Sequence, residues 1–127
     1  MKHTKWATNN FWQSLKYAIN GIKYVFLTQR NILIQSFIGI TIIILGFSFN
    51  ISKSEWLILV LTIFLVLFSE FINTAIETTV DLFTEEYNEK AKIAKDVAAG
   101  AVLITSINSI IIGIIIFSEK IINFIFN

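Results

Sequence analysis

Three apolar stretches, residues 32–51, 56–83 and 97–117, dominate this 127-residue chain. Each reaches about 20 residues or more, enough to cross a hydrocarbon core of about 30 Å as a helix. Hydrophobic residues make up 55% of the sequence, and only a membrane or a very unusual soluble core buries that much apolar surface. The expected fold class is an all-α membrane protein with a single domain over residues 1–127. It comprises an N-terminal amphipathic surface helix and three transmembrane helices. Proline is absent, so no span has to kink on that account. Cysteine is absent too, which excludes disulfides, thiolate metal sites and cysteine nucleophiles. The net charge is +1 and the basic residues form no block, so nucleic acid is not an expected partner.

The surface helix is expected over residues 9–28. Phe11, Leu15, Ile19, Ile22 and Phe26 fall on one helical face, with Gln13, Lys16, Asn20 and Lys23 opposite. That pattern suits a helix lying in the membrane interface and has too many polar residues to span. No continuous apolar run follows Lys2 and Lys5, so the spans themselves are expected to direct insertion. Trp6, Trp12 and Trp56 are placed as interface anchors. The sole histidine, His3, is assigned no role. The short connection around residues 50–55 makes the first two spans a helical hairpin. The charged linker 84–96 is expected to continue as helix beyond the bilayer.

Lys2, Lys5, Lys16, Lys23 and Arg30 precede the first span, and Lys90, Lys92 and Lys95 lie between the second and third. Lys53 and Lys120 fall on the other side. By the positive-inside rule the N-terminus and the charged linker are cytoplasmic and the C-terminus lies outside.

The second span carries a polar stripe that a membrane helix does not accept without cause. Glu70, Asn73, Glu77 and Asp81 are offset by three, seven and eleven residues and share one helical face. A charged side chain near the centre of a span costs roughly 2.5–3.5 kcal/mol on insertion scales, so such a group marks a functional site by default. Glu70 lies about 21 Å along the helix from Trp56, which puts it in the cytoplasmic half, with Glu77 and Asp81 at or above the interface. Lys95 and Asp96 precede the small-residue run Ala98-Ala99-Gly100-Ala101, which permits close approach of a neighbouring helix. Lys95 is thereby brought toward the Glu77–Asp81 end of the stripe. Carboxylates for a divalent cation and a lysine for phosphate oxygens form a minimal kit for phosphoryl transfer. No Gly-rich nucleotide loop and no zinc pattern is present, so any nucleotide site is built from helix faces. A small ion-coupled transporter subunit would also use carboxylates at membrane depth, but it leaves the Lys95-Asp96 pair unexplained and the chain shows no inverted repeat.

Two motifs, Glu70-Phe-Ile-Asn73-Thr-Ala-Ile-Glu77-Thr-Thr-Val-Asp81 and Ala91-Lys92-Ile-Ala-Lys95-Asp96-Val-Ala-Ala-Gly100, resemble those of the prokaryotic diacylglycerol kinase and undecaprenol kinase family. The likeness extends upstream through Phe11 to Ile22 and Gln29-Arg30-Asn31, covering almost the whole chain. The resemblance implies a homotrimeric helical bundle in the bacterial cytoplasmic membrane. It also implies transfer of the γ-phosphate of ATP, with Mg²⁺, to the hydroxyl of a membrane lipid.

Carried over by residue, the resemblance makes Glu70 the catalytic base and Glu77 a metal ligand. It places Tyr17, Asn73, Glu77, Lys95 and Asp96 at the nucleotide. A second metal-binding glutamate is usual where this chain has Gln29; an amide oxygen can still coordinate Mg²⁺, but holds it less firmly. Asn88 stands where a histidine is frequent. Val80-Asp81-Leu82 and Ala98-Ala99-Gly100-Ala101 look more like the undecaprenol kinases of Gram-positive type than like the diacylglycerol kinases, so undecaprenol is the favoured substrate and diacylglycerol the alternative. Plainer roles stand beside these: Glu77 and Lys95 could pair with each other, Asp96 could N-cap the third span, and Asn108 could be a packing amide. Asp81 is left between a binding role and a solvated one.

Overall fold

The computed structural model describes residues 10–126. Its elements are four helices, α1 (Phe11–Thr28), α2 (Arg30–Ser48), α3 (Lys53–Phe83) and α4 (Glu89–Phe126). The last three are long and apolar enough to cross a membrane. His3 and Trp6 lie outside the described residues.

Asn10 starts α1, its side chain accepting the Gln13 N–H at 2.9 Å, which satisfies one of the free donors of the first turn. The apolar stripe stays largely uncovered, with Phe11, Leu15, Ile19 and Ile22 exposed and Val25 buried. Trp12 is also exposed and meets Phe11 edge-on. Contact with the spans gathers at the C-terminal end, where the Phe26 ring lies 6.3 Å from that of Phe71 on α3. A helix that leaves its apolar face open in this way suits a membrane interface. One extended residue, Gln29, separates α1 from α2.

The turn from α2 to α3 is a Schellman motif. Asn50 takes the left-handed conformation at φ 48°, one that Asn tolerates better than most residues. The Ile51 N–H donates to the Gly46 carbonyl at 3.2 Å and the Asn50 N–H to that of Phe47 at 3.2 Å, satisfying carbonyls the helix end leaves free. Gly46 is required here, because a Cβ on it would meet the Trp56 ring at 2.8 Å. Trp56 therefore packs into the hairpin, its ring 4.7 Å from that of Phe47. Ser52 and Glu55 then open α3 with a reciprocal capping box. Glu55 also receives Lys120 at 2.7 Å, tying this end of α3 to the end of α4.

The most extensive packing is between α3 and α4, with α2 against α3 and α1 against α2. At the hairpin end Ile51, Leu59, Ile116 and Phe117 form a small core. Most other Ile, Leu and Phe side chains of the spans face outward, which costs little where the surroundings are lipid tails as apolar as Leu.

The start of α4 corrects one expectation about the third span. The helix starts at Glu89, so residues 89–96 of the linker are helical as expected, and it runs past 117 to Phe126. Asp96 is therefore inside a helix and does not cap it. The cap is Asn88, whose Oδ1 accepts the Ala91 N–H at 3.1 Å. The linker is also not one continuous helix, since α3 stops at Phe83 and residues 84–88 are irregular. Of the small-residue run, Ala98 alone is buried, and a Cβ on Gly100 would meet nothing within 4 Å. Close approach of α3 and α4 is made by Ala98 and, further along, by the hydroxyls of Ser69 and Thr105 at 2.9 Å.

Candidate active site

Glu70 is the most deeply buried charged residue among those described, at 1% exposure. Its neighbours on α3 do not occupy its carboxyl. Thr74 Oγ1 donates to the Glu70 backbone carbonyl at 2.9 Å, and Ser69 Oγ bonds Val66 and Thr105. The groups facing the carboxyl come from α2, where Asn31 and Gln35 each offer an amide N–H. Neither reaches Oε2, which is buried without a hydrogen-bond partner.

One turn along the stripe, Asn73 Nδ2 donates to Glu77 Oε1 at 3.0 Å, which leaves Asn73 Oδ1 buried and unpaired. Gln35 Oε1 and Ser36 Oγ share that condition. An unmade hydrogen bond at a buried polar group costs roughly 1–3 kcal/mol. All four unpaired atoms are oxygens that can accept. What completes such a set is a hydrogen-bond donor, such as a hydroxyl, or a hard cation.

Beyond Glu77 the stripe reaches the charged end of the bundle. Lys95 Nζ on α4 meets Asp81 Oδ1 on α3 at 2.5 Å, and Lys92 pairs with Asp96 one turn apart on α4. These residues, with Tyr87 and Asn88, are among the mostly polar and charged residues that line an open pocket of about 470 Å³. A second cavity, about 530 Å³ and mostly apolar, lies among α2, α3 and α4. Gln35 lines it at the Glu70 side.

The sequence-predicted residues thus fall into two adjoining groups. Glu70 and Asn73 are buried, with half-buried Glu77 joined to them through Asn73, and half-buried Lys95 with exposed Asp81 and Asp96 forms the outer part. The Glu77–Lys95 pair does not form; Lys95 goes to Asp81 instead. Gln29 is half-buried at the α1–α2 corner, two residues before Asn31. Tyr17 is half-exposed on α1 and does not line the polar pocket of this chain. Asn108 is exposed midway along α4. No cluster of three His, Cys, Asp or Glu stands ready to hold a metal among the described residues.

Sequence reasoning gave no role to Gln35 and named Asn31 only within the upstream family likeness. Their i, i+4 spacing was the available signal, since it puts two amides on one face of α2. Asn88 as a cap was signalled by its place one residue before Glu89 and Lys90.

The sequence model described as prokaryotic diacylglycerol kinase matches residues 16–117. A diacylglycerol kinase of Synechocystis sp. is 42% identical over 112 residues, covering 82% of this chain and 64% of that protein. An undecaprenol kinase of Bacillus subtilis is 41% identical over 112 residues, covering 88% of this chain and 91% of that protein. A diacylglycerol kinase of Haemophilus influenzae is 31% identical over 91 residues, covering 72% of this chain and 77% of that protein. The chain therefore spans just under two thirds of the Synechocystis relative and nearly all of the Bacillus one.

Proposed function

The chain belongs to the prokaryotic diacylglycerol kinase family and is a membrane-embedded lipid kinase; from that premise we propose that it transfers the γ-phosphate of ATP to the hydroxyl of undecaprenol. The observation that carries the reading is the unpaired, buried Oε2 of Glu70. It is a proton acceptor at membrane depth, on the same helix face as the residues that lead to Lys95.

Glu70 is the general base. As the lipid oxygen attacks the γ-phosphorus, its proton passes to Glu70 Oε2, the bond from phosphorus to the β-phosphate bridging oxygen breaks, and ADP leaves. A base placed in this way contributes roughly 10²–10⁴ in rate. Lys95 turns from Asp81 to the ATP phosphates and offsets their charge. Asp96 and Tyr17 border the nucleotide, Tyr17 from an α1 that lies against the site of a neighbouring subunit. Asn73 holds the Glu77 carboxylate by the 3.0 Å hydrogen bond.

The oxygen donors present, Glu77 with Asn73 Oδ1 unpaired beside it, fit Mg²⁺, which takes one or two carboxylates and completes its shell with phosphate and water. Glu77 and Gln29 would hold it, and it would neutralise charge on the transferring phosphoryl group. With Gln29 neutral, the site carries one negative charge less than a two-glutamate site.

Undecaprenol is placed ahead of diacylglycerol because of Val80-Asp81-Leu82 and Ala98-Ala99-Gly100-Ala101. The relatives at 42% and 41% identity carry one lipid name each, and the two lipids differ chiefly in their tails. The assembly is a homotrimer in the bacterial cytoplasmic membrane, with the charged end facing the cytoplasm. The exposed amide of Asn108 at mid-span, which lipid cannot satisfy, supports a partner chain there. Phosphate transfer from ATP to each lipid, with Glu70→Gln as the control, is the test.

A further inference from the structure

Asn31 and Gln35 have no place in the mechanism above, yet they are the two side chains that reach the Glu70 carboxyl from another helix. They stand one turn apart on the same face of α2. The polar groups on α3 nearest to Glu70 are all engaged elsewhere: Asn73 on Glu77, Thr74 on a backbone carbonyl, Ser69 on Val66 and Thr105. Nothing on its own helix fixes the direction of the carboxylate. Gln35, moreover, is held with its Oε1 buried and unpaired. With that oxygen unpaired, the hydrogen bond the Gln35 amide makes is the one its N–H₂ donates to Glu70.

We infer that Asn31 and Gln35 are positioning residues, whose amides fix the Glu70 carboxylate so that Oε2 is presented to the lipid hydroxyl. Neutral amides suit this task better than lysine or arginine. They orient a carboxylate by donating hydrogen bonds, which weaken it as a base less than a full positive charge would. Gln35 also lines the apolar cavity among α2, α3 and α4, so it stands where a hydroxyl approaching from the lipid side meets Glu70. The inference rests on Glu70 being the base.

The test is steady-state kinetics of the full-length protein in detergent micelles, with ATP and the lipid varied in turn. Gln35→Met keeps the length of the side chain and removes the donor. It is expected to lower kcat about tenfold, with KM for ATP and for the lipid within twofold of the parent, because orientation acts on the chemical step and not on binding. Gln35→His restores an N–H donor and recovers most of the lost rate. If Gln35→Met does not fold, as judged by its elution from a sizing column, Asn31→Leu at the exposed start of α2 gives the same reading. An unchanged kcat in whichever of these variants is measured overturns the inference. So does a loss in Gln35→His equal to that in Gln35→Met. A parent that phosphorylates neither lipid would instead overturn the kinase reading on which the inference stands.

Discussion

Lys95 on α4 reaches across the 84–88 turn to Asp81 on α3, Nζ to Oδ1 2.5 Å, and so closes the charged end of the polar stripe. Both side chains are substantially exposed, at 39% and 60%, and an ion pair in that setting contributes about 0–1 kcal/mol. The pair therefore places the lysine more than it holds the fold. In the proposed mechanism the phosphate oxygens of ATP compete with a single exposed carboxylate, a contest that a polyanion wins.

The two partners should accordingly differ in consequence. Lys95→Met is expected to raise KM for ATP at least about tenfold, since each lost charge-assisted contact is worth about 1.5–3 kcal/mol. Its melting temperature in detergent should stay within a few degrees of the parent. Asp81→Asn should shift KM for ATP less than about threefold. Initial rates over an ATP titration decide it, and equal effects of the two substitutions would give Asp81 a direct share of the nucleotide.

Metal dependence separates Glu77 from Gln29. Glu77→Gln removes the carboxylate that Asn73 orients, and the Mg²⁺ concentration for half-maximal rate should rise about fivefold or more. Gln29→Glu adds a charge at the α1–α2 corner and should lower it. A Mg²⁺ titration that Gln29→Glu leaves unchanged removes this residue from the site.

The hairpin offers a prediction about stability alone. Gly46→Ala puts a Cβ 2.8 Å from the Trp56 ring and 3.1 Å from Ile51, an overpacking that costs about 1–3 kcal/mol. On α1, a Cβ at Gly21 meets nothing within 4 Å, and Gly21→Ala should gain about 0.5–1 kcal/mol from helix propensity. Thermal melting in one detergent reads both. A Gly46→Ala protein as stable as the parent would show that Trp56 moves freely.

Much of this architecture is legible in the residues themselves. Apolar length gives three spans, and the 70, 73, 77, 81 spacing gives the stripe, because helical period and bilayer thickness are properties of the backbone and solvent. The end of α3 at Phe83 is legible because Thr84-Glu85-Glu86 ends the apolar run. The partner of Lys95 is not. Glu77 and Asp81 are one turn apart on the same face, and the choice between them depends on how α4 is rotated against α3, which Ala98, Ser69 and Thr105 fix by packing. Asp96 illustrates a similar limit: a carboxylate before an apolar run reads as a cap, but Asn88 had already started the helix two turns earlier. Asn31 and Gln35 escaped notice because their significance comes from Glu70, 39 and 35 residues further along the chain.

The central claim is that Glu70 takes the proton of a lipid hydroxyl as ATP surrenders its γ-phosphate. Transfer of ³²P from [γ-³²P]ATP to undecaprenol and to diacylglycerol in micelles tests it directly. The parent is expected to label undecaprenol faster than diacylglycerol, and Glu70→Gln to label either lipid at least about 100-fold more slowly. Labelling of neither lipid by the parent, or a Glu70→Gln protein as active as the parent, would contradict it.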